Sequence, residues 1–240
     1  MEYYIRKLSG KVYLERLKRN PTVIIPTGAC EVYGPQLPMG TDLLVAQKIS
    51  ELLAERIDAL IAPTIEIGES SALSAFECTF ALPRKILEDY LEALVNILIQ
   101  DGAKNFIFIT GHAGNVDTVS YIIKKHLNEG IKACQIDWWR FTNANSGEIF
   151  DFKGPMAHGH ASECGTSVML YLYPELADCS EMTRVEPKEN SFPDVLQYGH
   201  FTEKRPNGTL GDATVATREK GEAIVNVCLD RIMEYLNTAF

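Results

Sequence analysis

An α/β fold, built as one three-layer domain with a mainly parallel sheet flanked by helices, is predicted by two features of the 240 residues. Short apolar runs rich in β-branched residues alternate with longer stretches whose apolar positions recur every three to four residues. Glycine or polar turn residues close the long stretches, so the alternation reads as successive βαβ units. No internal repeat, low-complexity tract or linker divides the chain, and residues 1–240 are expected to form a single domain.

The elements follow in order. PTVIIPTG (21–28) reads as a buried strand ending in turn residues, and DLLVAQKISELLAERI (42–57) as a helix with Asp42 near its N-terminus. DALIAPTIEIG (58–68) is a second strand, and PRKILEDYLEALVNILIQDG (83–102) a long helix stopped by Gly102. NFIFITGHAGN (105–115) is a strand running into a glycine-rich turn. VDTVSYIIKKHLNEG (116–130) is a helix and IKACQIDWWRF (131–141) another strand. Beyond 141 the pattern becomes irregular. A helix is expected to begin near Thr166, residues 179–214 read as loop, and EKGEAIVNVCLDRIMEYLN (219–237) is a C-terminal helix.

Composition narrows the function. Hydrophobic residues are 46%, charged residues 23%, and the net charge is −9, which argues against a nucleic-acid surface or a polybasic membrane anchor. No apolar run reaches the roughly 18–20 residues of a membrane span. The N-terminal MEYYIRKLSGKVYLERLKRN has no signal-peptide core. Six cysteines are scattered with no C-x-x-C pair, so reduced thiols in a cytoplasmic protein are expected.

In a parallel α/β sheet, sites form at the carboxyl ends of strands. Three segments expected there carry polar residues that core packing does not require: EVYGPQLPMGTD (31–42), TGHAGN (110–115) and HGHASECGTS (158–167). Glu31, Asp42, His112 and the later His/Glu group would together make an oxygen- and nitrogen-rich metal site. Bland readings stand beside this one: Glu31 as a solvated loop acid, Asp42 as a helix cap, His112 as a bonded core imidazole. His158 lies two residues from His160, and the two are not expected to share a role. His126 reads as surface or core packing, Asp212 as a turn or cap residue, and His200 as a solvated loop residue, with a neighbouring subunit's site as the alternative.

Spacing joins these residues through a resemblance. EVYGPQLPMGTD resembles the E-x-H-G-x-H-L-P-x-G-T-D segment of the creatininase (creatinine amidohydrolase) family, and TGHAGN its N-G-H-G-G-N strand end. HASECGTSVMLYLYPELAD (160–178) is similar to its H-A-G-E-x-E-T-S segment and following helix. GESSALSAFECTF (68–80) sits at its G-x-S-x-E-H-x-x-F-P-G-T stretch, and GTLGDATVATREKGEAI (208–224) at its G-x-x-G-D-x-x-x-A-T-x-E-K-G stretch. The resemblance implies a metal-dependent hydrolase that assembles as a homo-oligomer, a hexamer in the best-known case, and acts on a small molecule. It implies Glu31, Asp42 and His112 as metal ligands, with Glu163 as a further ligand or general base and His160 as the proton carrier. Ser70 or Ser71 would contact substrate. Trp138 and Trp139, after a predicted strand, are candidates for the pocket wall, with at least one of them expected in the core.

The chain also departs from the family pattern. Tyr33 replaces the histidine expected on a second metal, Gln36 and Leu73 replace further histidines, and Gly114 and Gly165 stand where glutamates are found. A phenol of ordinary pKa ~10 is a poor ligand. One divalent ion (Zn, Mn or Fe) is therefore expected rather than two, with Tyr33 facing substrate. The leading expectation is hydrolysis of an amide C–N bond in a small cyclic metabolite, other than creatinine, by metal-activated water. The alternatives are a ring-opening C–C hydrolase of a keto- or diketo-inositol and a degenerate, non-catalytic family member.

Overall fold

Alternate residues of the two central strands face opposite sides of one sheet, and both sides are covered by helices. The computed structural model describes residues 1–240 except 189, 190, 193, 196–200, 205 and 206, and excludes the side chains of 203 and 204. His200 therefore lies outside the described residues. Among these residues the regular elements run α1 (Gly10–Arg19), β1 (Thr22–Thr27), α2 (Thr41–Ile57), β2 (Leu60–Ile61), α3 (Arg84–Asp101) and β3 (Asn105–Thr110). They continue with α4 (Val116–His126), β4 (Lys132–Asp137), α5 (Trp138–Asn145), α6 (Pro155–His158) and α7 (Glu163–Leu172). The last are β5 (Arg184–Val185), α8 (Phe201–Lys204), β6 (Gly211–Asp212) and α9 (Arg218–Ala239), with short 3-10 turns between.

The main sheet is parallel, in the order β2-β1-β3-β4, and β1 pairs with β3 in register from Thr22↔Asn105 to Thr27↔Thr110. Val23, Ile25, Phe106 and Phe108 join one buried cluster with Leu17 of α1, Leu87 and Leu91 of α3, and Val119 and Ile122 of α4. Ile24, Ile107 and Ile109 join the other, with Val45 and Ile49 of α2, Val168 of α7, and Ile224 and Ile232 of α9. This is the expected three-layer arrangement. Strands buried on both faces read as continuous apolar runs, which is how β1 and β3 appear in the sequence.

Three elements differ from expectation. The strand expected over 58–68 shrinks to Leu60–Ile61, with an isolated bridge at Thr27↔Ile65. On that side of β1 the ladder runs Ala62 N to Ile24 O, then Ile65 N to Pro26 O and Gly28 N to Ile65 O. Pro26 and Pro63 have no N–H to donate, so the pairing skips the residues between. The strand expected over 131–141 stops at Asp137, and the tryptophan pair opens α5 instead. In the N-terminal segment α1 went unread although Ser9 caps it, its hydroxyl accepting from Val12 N. The buried Arg16 ties α1 to Asp58 at 3.0 Å. The expected loop over 179–214 contains, among its described elements, the short β5, α8 and β6 and a 3-10 turn at Cys179–Glu181, and all six cysteines are unbridged. No helix among the described residues is long and apolar enough to cross a membrane.

Helix α7 begins at Glu163, three residues before the expected start, and Glu163 is fully buried. Its Oε1 accepts from Lys220 Nζ of α9 at 2.6 Å and from Asp151 N at 2.9 Å, and its Oε2 from Phe152 N at 3.3 Å. Lys220 Nζ also donates to Val215 O at 2.7 Å and pairs with Asp151 at 3.1 Å. A buried carboxylate bonded in this way is stable, but it becomes a large liability if the cation is removed. Lys220→Met is expected to destabilise the protein by about 3 kcal/mol or more, read from urea unfolding, because Glu163 is left buried and unpaired.

Candidate active site

The segment from Glu31 to Asp42 leaves the end of β1 and returns to begin α2. Glu31 N donates to Met39 O at 2.9 Å, and Thr41 Oγ1 donates to Pro38 O at 2.8 Å, so the loop is cinched at its base and its two acids are brought together. The first turn of α2 then presses against the ends of β1 and β3. A Cβ on Gly28 would lie 2.3 Å from Leu43 Cα, and one on Gly111 would lie 2.2 Å from Asp42 O. Only glycine permits that approach. It sets Asp42 beside His112, the residue after Gly111.

Glu31, Asp42 and His112 are all buried, and one ligand atom from each lies within 4.8 Å of the others. His112 Nδ1 is 3.0 Å from Asp42 Oδ2 and 3.5 Å from Glu31 Oε1. Its Nε2 donates to Glu69 O at 2.9 Å, which fixes the tautomer and turns Nδ1 toward the two acids. Asp42 does not cap α2: its Oδ1 accepts from Trp139 Nε1 at 2.9 Å and its Oδ2 faces the imidazole. Glu31 has no hydrogen-bond partner on either oxygen.

The electrostatics reflect this crowding. Burial pushes the Glu31 carboxyl up to about 7, with the His112 charge opposing and Asp42 adding to the rise. For His112 burial acts downward, yet the Asp42 hydrogen bond and the Glu31 and Asp42 charges outweigh it and raise the imidazole to about 9. The imidazole thus keeps its proton at neutral pH beside a Glu31 carboxyl that is only partly ionised. A buried carboxylate with two orphaned oxygens beside another acid and an oriented imidazole nitrogen is a donor set that suits a divalent cation.

The cluster lies in the wall of a cavity of about 530 Å³. Tyr33, Ser70, Trp139 and His160 also line it, as expected of substrate-side residues. Ser70 Oγ is 3.4 Å from His112 Nε2. His160 donates Nε2–H to Val32 O at 2.8 Å, and its ring lies 4.3 Å from that of Tyr33. Three expected residues are elsewhere. Glu163 is held by Lys220 and two backbone amides and is not among the residues lining the cavity. Ser71 is exposed at the start of a 3-10 turn, and Trp138 is fully buried in the core. Adjacent helical positions point about 100° apart, which is why Trp139 reaches the site and Trp138 does not.

The departures from the family pattern have physical reasons in this structure. Tyr33 is buried, and burial, together with the Asp42 and Glu31 carboxylates, pushes its phenol well above the ordinary range. It remains a protonated donor. A Cβ on Gly165 would touch Tyr33 at 3.5 Å, so a longer side chain there would meet the phenol. A Cβ on Gly114 would lie 2.0 Å from Glu69 O, the carbonyl that orients His112, so no side chain fits at that position. Gln36 is a structural tie, donating Nε2–H to Ala161 O at 2.8 Å and to Thr166 Oγ1 at 3.1 Å. Asp212 accepts from Thr214 N at 2.9 Å, the turn role expected of it. His158 and His160 are not expected to share a role, yet both line the cavity: Gly159 between them is extended, and side chains two residues apart in extended backbone lie on one face.

Comparison with known proteins agrees with this geometry. The creatininase (creatinine amidohydrolase) family matches residues 7–236. Creatinine amidohydrolase of Pseudomonas putida is 29% identical, the match covering 99% of this chain and 97% of that protein. A mycofactocin precursor peptide peptidase of Mycobacterium ulcerans is 28% identical over 90% of this chain and 86% of its own length. A 3-dehydro-scyllo-inosose hydrolase of Thermotoga maritima is 24% identical over 95% and 80%. A solved creatininase named for manganese superposes with a TM-score of 0.86 at 27% identity, covering 100% of this chain and 99% of that one. The parallel sheet, the position of the acid–imidazole cluster at its strand ends and a family match across nearly the whole chain lead to one conclusion: the chain belongs to the creatininase family of hydrolases.

Proposed function

We propose that the protein is a metal-dependent amidohydrolase that opens the amide C–N bond of a small cyclic metabolite. The observation that carries this reading is Glu31, buried beside Asp42 and His112 with neither oxygen in a hydrogen bond. Glu31, Asp42 and His112 Nδ1 would hold one divalent ion, of zinc, manganese or iron. In that place such an ion lowers the pKa of a water toward ~7 and polarises a carbonyl.

The chain's own residues complete the chemistry. Trp139 N–H holds Asp42, and the Glu69 carbonyl holds the His112 ring, so the donor set is pre-oriented. Tyr33, kept protonated, offers an O–H to the substrate carbonyl oxygen as negative charge develops there. His160, anchored through Nε2 on Val32 O, carries the proton to the leaving nitrogen. Among the relatives, creatinine amidohydrolase and the precursor peptide peptidase are named for reactions at C–N amide bonds, which supports the same bond class here.

A second reading is favoured by Tyr33 itself. A neutral donor where a second ligand would stand suits polarising a ketone, and one relative is named as an inosose hydrolase. Ring-opening C–C hydrolysis of a keto-inositol is therefore the alternative.

Metal analysis of dialysed, reconstituted protein is expected to find one divalent ion per chain, and none in Glu31→Gln or His112→Ala. A wild type without metal removes both readings. The affinity is expected to rise with pH between 6 and 9, because His112, at about 9, and Glu31, at about 7, must lose protons before they can bind. Calorimetry of zinc binding in buffers of different ionisation enthalpy will register that proton release. In a panel of cyclic amides and keto-inositols, turnover of amides alone supports C–N hydrolysis. Tyr33→Phe is expected to lower kcat about 100-fold with the metal content unchanged.

A further inference from the structure

Asn115 closes the turn after His112 and stands at the N-terminus of α4, where an asparagine would ordinarily cap the helix. It makes no cap bond, and its fully buried amide is turned the other way. Oδ1 accepts from Glu69 N at 3.0 Å, and Nδ2 donates to Gly28 O at 2.9 Å. A backbone N–H can only donate and a carbonyl only accept, so the two partners require one acceptor and one donor, which a single amide supplies. The fit is tight: a Cβ on Gly68 would lie 2.7 Å from both Asn115 Oδ1 and Gly28 O. The amide therefore bridges the end of β1 to residues 68–70.

Those residues carry the groups that meet His112 Nε2. The Glu69 carbonyl accepts from it at 2.9 Å, and Ser70 Oγ lies 3.4 Å away. The Glu69 side chain is occupied locally, its Oε1 accepting from Ser71 N at 3.3 Å, so the tie from the Glu69 backbone to the sheet comes from Asn115. We propose that Asn115 is a positioning residue: by holding the Glu69 backbone it keeps the carbonyl on His112 Nε2, and so directs Nδ1 toward the cation. The inference rests on the proposed function and adds to it a residue that is not among those lining the cavity. Which imidazole nitrogen binds a metal is set by the bond that the other one makes. Without the bridge, residues 68–70 are free to shift, and the ring loses the bond that selects its nitrogen.

Nitrogen-15 spectra of histidine-labelled, zinc-loaded protein, and zinc titration against a competing chelator, test the inference. In the wild type His112 is expected to show a slowly exchanging proton on Nε2 and a ligand-shifted Nδ1. Asn115→Ala is expected to weaken zinc binding about tenfold or more and to speed exchange of the Nε2 proton about tenfold. Asn115→Asp retains the acceptor for Glu69 N and is expected to keep the slow proton. Gln135 is the control, because its amide ties the same strand ends, donating to Val116 O at 3.1 Å and to Thr110 Oγ1 at 3.3 Å, away from residues 68–70. Gln135→Ala is expected to lower the urea midpoint while leaving zinc affinity within about threefold and the Nε2 signal unchanged. The proposal is overturned if Asn115→Ala binds zinc as the wild type does, if Gln135→Ala weakens zinc equally, if Asn115→Asp loses the slow proton, or if wild-type zinc sits on Nε2. The last measurement requires no variant to fold. A wild type that binds no zinc overturns the proposed function, and this inference with it.

Discussion

The contact on which the site depends is that of the first turn of α2 with the ends of β1 and β3. Gly28 and Gly111 leave no atom between the helix backbone and the strands. That closeness sets the Asp42 carboxylate 3.0 Å from the His112 ring, with Glu31 beside them at the base of the cinched loop. A side chain at either glycine would push the helix away and dissolve the cluster, so two residues with no chemistry of their own determine where the chemistry is. The sheet supplies the rigid platform: β1 and β3 pair over six residues each, with helices packed on both faces.

Around that contact the structure orients each group by something other than the group it would bind. Trp139 holds Asp42, the Glu69 carbonyl holds His112, and Val32 O holds His160. Glu31 is the exception, with neither oxygen hydrogen-bonded in a place where burial, more than any neighbour, raises its carboxyl to about 7. A cation held there, as proposed, would find every donor except Glu31 already oriented, so little ordering would remain on binding. Tyr33 then marks the divergence from the family pattern. It fills the space over Gly165 and contributes a proton donor where relatives would place a ligand.

Much of this was legible in the residues. The strands of the central sheet and the helices α2, α3, α4 and α9 follow from periodicity and glycine stops, since buried parallel strands must be apolar throughout and their helices amphipathic. The set Glu31, Asp42 and His112 was visible through motif spacing, because the strand-end positions that build such a site are fixed by the fold. The errors have equally physical origins. Pro26 and Pro63 cut β2 to two residues by removing donors. The tryptophan pair was read as strand because two aromatics in a row satisfy either period.

What the sequence by itself determined is the family, the layering and the identity of the three residues that converge. Those rest on short-range patterns and on the order of segments along the chain. What only the tertiary structure decided is which neighbours those residues acquire. Glu163 has the motif position of a catalytic acid, yet a lysine 57 residues away claims it. Trp138 and Trp139 are neighbours in sequence, yet the helical turn that opens α5 directs only the second to the cavity. Partners distant in sequence and the local sense of a short turn are set by packing energies summed over the whole chain, and no local pattern carries them.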